Sequence, residues 1–263
     1  MNEYLYDVNS IVIAAGILIL LLICMEIGYR LGKRNNQRHK GNESAQIIRI
    51  ESSMLGMVAL LIGFTFSLSL QRYEERTQDV VDEANAIGTA YLRAEMLPEQ
   101  YRDSVQLLIR EYVDMRLKES EVSITDVKRY QEYVDATQKL AGHLWRLAKR
   151  SAEVDDSPLR TGLFIQTLNE VLDGFDRSEA ELNIHVPELV IFLLVFTFLI
   201  TASIFGYASG TEGHRPTMAA NIFLVIIVLL TFLIIDLDRP RRGLIRVSQQ
   251  SLLVLQHSMN GTK

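Results

Sequence analysis

Apolar positions gather into four uncharged blocks, the first at about residues 8–25 and the others between Glu51 and Arg72, between Glu188 and Glu212 and between Arg215 and Asp236, and one long polar stretch separates the second from the third. A bilayer core takes about 20 such residues to cross as a helix. The blocks therefore predict membrane spans at about 9–31, 52–71, 188–208 and 217–236. A soluble core holds one or two runs of this kind, not four in a chain of 263 residues. Glu3 and Asp7 precede the first run, and its basic cluster follows it. A signal peptide has the reverse arrangement, so the first block is expected to be an uncleaved helix.

Between the second and third blocks the spacing changes to that of amphipathic helices. Val80, Ala84, Ile87 and Tyr91 share one face; Tyr101, Val105, Leu108 and Tyr112 share another. Val127, Tyr130, Val134, Ala141, Leu144 and Ala148 form a third stripe, and Phe164, Leu168, Val171 and Phe175 a fourth. Each is expected to be ordinary core packing. Pro98 breaks the first helix from the second, and residues 153–158 (EVDDSP) read as a loop before the last. Residues 33–40 (KRNNQRHK) read as a linker. Residues 206–216 (GYASGTEGHRP), rich in glycine, read as the loop of a helical hairpin, and Pro187 sits where the third span begins. The expected class is an all-α integral membrane protein: a first transmembrane hairpin at 1–71, a helical extramembrane domain at 72–186, a second hairpin at 187–236 and an amphipathic tail at 237–263 carrying Ile245, Leu252, Leu253 and Leu255.

Composition narrows the function by subtraction. The formal net charge of −5 leaves no nucleic-acid footprint, and the one cysteine, Cys24, has no intrachain partner. His39, His143, His185, His214 and His257 are scattered, with no two-histidine metal spacing. There is no phosphate-cradling glycine loop and no nucleophile elbow. Trp145 reads as a packed aromatic, and the acids of the polar domain as its solvated faces. The sequons Asn42-Glu43-Ser44 and Asn260-Gly261-Thr262 are too common a pattern to weigh. No enzyme, cofactor or metal site is expected; the expected partners are the lipid bilayer, further copies of the chain and permeant ions.

The second block is the most informative. Its small residues Ser52, Gly56, Gly63 and Ser67 recur at four- and seven-residue spacing, and small residues let helices approach closely in lipid. Gly56, Leu60, Phe64 and Leu68 are four apart and lie along one face. In an oligomer such a face lines a hydrophobic constriction; in a lone chain it meets lipid or a neighbouring helix, and, with no charge inside the apolar blocks, the alternative is a non-conducting membrane protein whose helical domain senses or binds a partner. No breaker separates this block from Arg72-Tyr73-Glu74-Glu75-Arg76 and Asp82-Glu83-Ala84-Asn85, so one long helix is expected to join span and polar domain.

These residues carry a resemblance. Gly63-Phe64, Ser67, Arg72-Tyr73-Glu74, Arg76 and the run VVDEANAIGTAYLRAEMLP at 80–98 resemble the bacterial bestrophin-like domain of unknown function, a distant relative of bestrophin ion channels. So does the segment Asp236-Leu237-Asp238-Arg239-Pro240 with Gly243. The resemblance spans nearly the whole chain in element order. It implies a pentameric channel in a bacterial inner membrane, with the second helix lining the pore and Leu60 and Phe64 at the constriction. The third position of that pattern falls near Gly56 or Met57, and Gly56 would be a departure from its bulky residue. Arg72, Glu74, Glu75 and Arg76 would stand at the pore mouth. The calcium clasp of animal bestrophins needs more acids than Asp236 and Asp238, which Arg239, Arg241 and Arg242 follow, so no calcium site is expected.

Orientation is contested by charge. Arg30, Lys33, Arg34, Arg38, Lys40 and Arg49 would hold the first loop in the cytoplasm by the positive-inside rule. Arg239, Arg241, Arg242 and Arg246 argue for the opposite side. The resemblance decides for both termini and the polar domain in the cytoplasm. Selectivity is contested as well: bestrophins are best known for passing anions, yet residues 72–186 hold 23 Asp and Glu against 15 Lys and Arg, a balance of −8, and a vestibule of one sign concentrates the opposite ion.

Overall fold

A computed structural model describes residues 9–36, 43–123, 126–182, 184–239 and 243–261. Arg38, His39, Lys40, Pro240, Arg241, Arg242 and both sequons' outer residues Asn42 and Thr262 lie outside the described residues. In chain order the helices are α1 (Ser10–Asn36), α2 (Glu43–Arg93), α3 (Glu99–Glu121), α4 (Val127–Val154), α5 (Leu163–Glu181), α6 (Glu188–Thr211), α7 (Met218–Asp238) and α8 (Gln250–Gly261). No strand occurs among the described residues. Contacts divide the chain into one unit of Met1–Arg72 with His185–Arg239, and another of Tyr73–Ile184 with Pro240–Lys263. α2 is continuous through the point of division.

In the first unit α1, α2, α6 and α7 are each long and apolar enough to cross a membrane. Their shared core holds Leu21, Leu194, Phe198, Leu224, Ile227 and Ile234. Its tightest joint is between α1 and α6. A Cβ added to Gly28 would collide with the carbonyl oxygen of Ser203, one on Gly32 with that of Tyr207, one on Gly206 with that of Met25 and one on Gly210 with that of Tyr29. Two G-x-x-x-G pairs thus interlock, backbone on backbone, which is how helices gain dispersion contact in lipid. Asn35 adds a hydrogen bond from Nδ2 to the Tyr207 hydroxyl at 2.9 Å. Five hydroxyls within the spans are satisfied locally: Thr65, Thr197, Thr201, Ser203 and Thr231 each donate to the carbonyl four residues back, at 2.7–2.8 Å. A medium without water demands this of every hydroxyl.

This packing corrects the expected loop at 206–216. α6 runs on to Thr211, so Gly206 and Gly210 are helical residues pressed against α1, and only Gly213, with φ 83°, takes a turn conformation. Glycine breaks helices in water because it leaves backbone exposed; against another helix that exposed backbone is the contact surface.

The second unit is built on the second half of α2 with α3, α4, α5 and α8. Its core includes Ile87, Leu97, Val105, Tyr112, Leu144, Phe164 and Leu168, so the four stripes point inward as read. Val127 is the exception, 68% exposed. It lies in the first turn of α4, outside the core, where Asp126 caps the helix by accepting the Arg129 N–H at 3.3 Å. α2 ends four residues before Pro98, in a 3₁₀ turn at Ala94–Met96. The expected loop at 153–158 is shorter: α4 reaches Val154, and a π turn at Pro158–Gly162 leads into α5. The tail folds onto this unit, with Leu252 and Met259 buried, Leu255 3.1 Å from where a Cβ on Gly88 would sit, and Gln256 donating to Asp114 at 2.7 Å.

Replacing Gly206 by leucine should force α1 and α6 apart. Overpacking a tight contact costs about 1–3 kcal/mol, and here the obstruction is backbone, so the upper end is expected. Thermal unfolding in detergent measures it; an unchanged midpoint would contradict the interlocked joint.

Candidate functional site

Within its membrane block α2 has two dissimilar faces. Val58, Ile62, Thr65 and Ser69, three or four apart, are buried against the rest of the first unit. The pore-lining candidates lie on the other side: Leu60 is 58%, Phe64 62% and Leu68 47% exposed, and open space surrounds Gly56. Ser52, Gly63 and Ser67, read as helix-packing residues, are exposed too, and nothing approaches Gly63. The closest backbone approach within the first unit falls to glycines of α1 and α6. Gly63 borders an apolar groove of about 480 Å³ formed with Ile62, Phe66, Phe223, Ile227 and Leu230.

The four charged residues after this face do not act alike. Glu74 is exposed, and Arg72 and Glu75 are half-buried. Arg76 is only 5% exposed and belongs to the second unit: its Nη2 donates to the Ile184 carbonyl at 2.7 Å and its Nε to that of Glu181 at 3.3 Å. Carbonyls at a helix C-terminus lack intrahelical partners, and a cation satisfies them well. Arg76 is thus a cap for α5.

Asp236 and Asp238 are both buried. Asp238 Oδ2 accepts the Val186 backbone N–H at 2.9 Å and its carbonyl meets His185 Nδ1 at 3.1 Å, so the end of α7 is tied to the residues before α6. Arg239 reaches the Ser10 hydroxyl at 3.1 Å. No group of three or more potential metal ligands occurs among the described residues.

The second unit contains a constellation that spacing did not reveal. Arg116 is buried, with its guanidinium 4.9 Å from the Phe175 ring centroid. It grips Glu83 with two bonds, 2.7 and 2.9 Å, and Glu119 with one of 2.7 Å. It also reaches Ser178 Oγ at 3.1 Å and Glu179 at 3.6 Å. Tyr130 donates to the other oxygen of Glu179. The members come from α2, α3, α4 and α5. Only the Arg116–Glu119 pair is local in sequence, so these acids read as solvated faces. Burial pushes the Glu179 carboxyl up from the ordinary range, and the neighbouring Glu119 charge adds to it. Burial likewise raises the Tyr112 phenol, with Glu83 the next cause. Removing one partner of a buried ion pair typically costs about 3–5 kcal/mol. Arg116→Ala should therefore lower the unfolding midpoint far more than removal of an exposed arginine such as Arg160; equal effects would contradict the cluster's burial.

The fold and the four spans define an all-helical membrane protein. Residues 16–252 match the bestrophin-like domain, and the chain belongs to that family. No curated protein matches it. Solved structures of a bacterial bestrophin homologue from Klebsiella pneumoniae, each carrying a point substitution, share the fold at low identity. One superposes with a TM-score of 0.70 at 14% identity, covering 93% of this chain and 96% of its own. A second gives 0.68 at 14%, covering 94% and 96%. A third gives 0.68 at 15%, covering 96% and 99%.

Proposed function

We propose that this chain is one subunit of a bestrophin-type ion channel, a homo-oligomer and by analogy a pentamer, in which α2 lines the pore. The observation that carries this reading is the exposed stripe Gly56, Leu60, Phe64 and Leu68 on a span whose other face is already packed. Family membership supports it. An apolar ring of this kind passes ions only when wetted, so side-chain bulk at its narrowest point governs conduction. Phe64 has the largest exposed side chain of the stripe and Gly56 offers none, which supports Phe64 or Leu60 as the narrowest point.

Selectivity is proposed from charge. The balance of −8 over residues 72–186, repeated around an axis, favours cations at least as much as chloride. Screening over about 8 Å at physiological salt limits this to acids that face the axis. Purified protein in liposomes should conduct, and Phe64→Ala should raise the flux several-fold. A potassium chloride gradient should give a reversal potential at or below the midpoint between the two ions, on the cation side. A potential near that of chloride overturns cation preference; no flux from folded protein, with or without the substitution, overturns the channel.

The polar domain is proposed to be cytoplasmic. Glu153→Cys in a Cys24→Ser background should resist membrane-impermeant thiol reagents in intact cells and react after lysis. Ready labelling in intact cells reverses the orientation.

A further inference from the structure

We infer that the Arg116 cluster is a proton-operated latch that sets how firmly α5 holds the emergent part of α2. Two grips on α2 lie seven residues apart on one helical face. Arg76 caps the end of α5 through the Glu181 and Ile184 carbonyls. Glu83 is held by Arg116, which also meets Ser178 and Glu179 of α5. Both grips end on the last turns of α5 and the residues just after it, so whatever loosens that segment loosens α2 at two points.

Charge shows what loosens it. With Glu179 protonated, one guanidinium faces two buried carboxylates, Glu83 and Glu119. When Glu179 loses its proton, the same guanidinium faces three. Other titratable groups lie in the same bundle. From α4 the Tyr130 hydroxyl donates to it. From α3 the Tyr112 phenol is buried nearby and neutral. From α2 Asp79 pairs with Arg177 of α5 at 3.7 Å, and burial raises the Asp79 carboxyl too. Asp176 and Glu181 on α5 itself are further acids. A carboxyl whose pKa is higher in the fold than the ordinary 4.5 stabilises the fold fully below that value, and the contribution disappears as pH rises through the folded pKa. The latch is therefore closed in acid and slack in base.

The latch stands without the pore, but its effect on conduction rests on the channel reading. The test uses the full chain in lipid nanodiscs, with amide hydrogen exchange followed across pH and corrected for the intrinsic rate. Protection in α5 and in residues 73–93 of α2 should fall as pH rises, by roughly tenfold for each unit separating the folded and ordinary pKa values. Glu179→Gln, a permanent mimic of the protonated form, should hold the acid-like protection at every pH. Tyr130→Phe removes a bond that favours the charged form, so its transition should move to higher pH, a displacement that mere loosening of the bundle would not produce. Exchange in Glu179→Gln that tracks the parent across pH overturns the latch, as does a parent with no transition. Liposome flux measured in parallel separates the two readings: a transition that follows Glu179 in a protein that never conducts keeps the latch and removes the pore.

Discussion

The structure depends on α2 being unbroken. Its 51 residues rise about 76 Å at 1.5 Å per residue, against a hydrocarbon core of about 30 Å. One helix must therefore satisfy two environments in succession. Val58, Ile62, Thr65 and Ser69 keep one face packed in the first unit, and the same three- and four-residue rhythm continues through Arg76, Val80, Glu83, Ala84 and Ile87 in the second. The rhythm is constant while the chemistry changes. In the first stretch the buried polar side chains are hydroxyls, and that of Thr65 is satisfied within the helix. In the second they are charges that need partners from other helices.

The two units accordingly reach their stability by different routes. Lipid is as apolar as a leucine side chain, so burying leucine between spans gains little, and close backbone approach matters more. That is the office of Gly28, Gly32, Gly206 and Gly210. In the second unit water restores the hydrophobic effect, and the core of Ile87, Val105, Leu144, Phe164 and Leu168 supplies the drive to fold. A burden accompanies it: the Arg116 cluster desolvates three charged groups, Arg116, Glu83 and Glu119, which aliphatic side chains of the same volume would avoid. A feature that costs stability and yet sits at the junction of α2, α3, α4 and α5 is better explained by what it controls than by what it holds up.

The helices and the inward faces of the polar domain were legible because period and hydrophobicity are local. What was not legible is instructive. Gly206 and Gly210 were read by the rule for water, where glycine before histidine and proline means a loop. Gly28 and Gly32 drew no attention because their partner helix lies more than 170 residues on, and nothing in a single sequence pairs the two. Glu83, Arg116 and Glu179 are separated by 33 and 63 residues, so their meeting is a property of the bundle and not of any segment. Arg76 shares the fault: beside Glu74 and Glu75 it reads as one of a charged run, and only the arrival of the Ile184 carbonyl turns it inward. The stripe at Gly56, Leu60, Phe64 and Leu68 was visible as a spacing; its exposure required the fold.

Exposure of an apolar stripe carries a different meaning here than in water. On a soluble protein, Phe64 at 62% exposure would press for a partner. In hydrocarbon it is already at rest, so hydrophobicity cannot be what selects a neighbour for α2. Shape can. Gly28 and Gly32 of α1 and Gly206 and Gly210 of α6 are consumed within the chain, each blocked by a backbone carbonyl, whereas Gly16 of α1 and Gly56 and Gly63 of α2 have open space, and Ser52 and Ser67 of α2 are exposed. α2 thus retains several small residues for an outside contact while presenting bulky ones a turn away. A neighbouring copy that seats against the small residues would leave Leu60 and Phe64 unsheathed by lipid, and an apolar side chain facing neither lipid nor protein faces water. That is the condition under which the stripe becomes a gate, because its dewetting then depends on a few ångströms of movement in the same helix that Arg76 and Glu83 anchor.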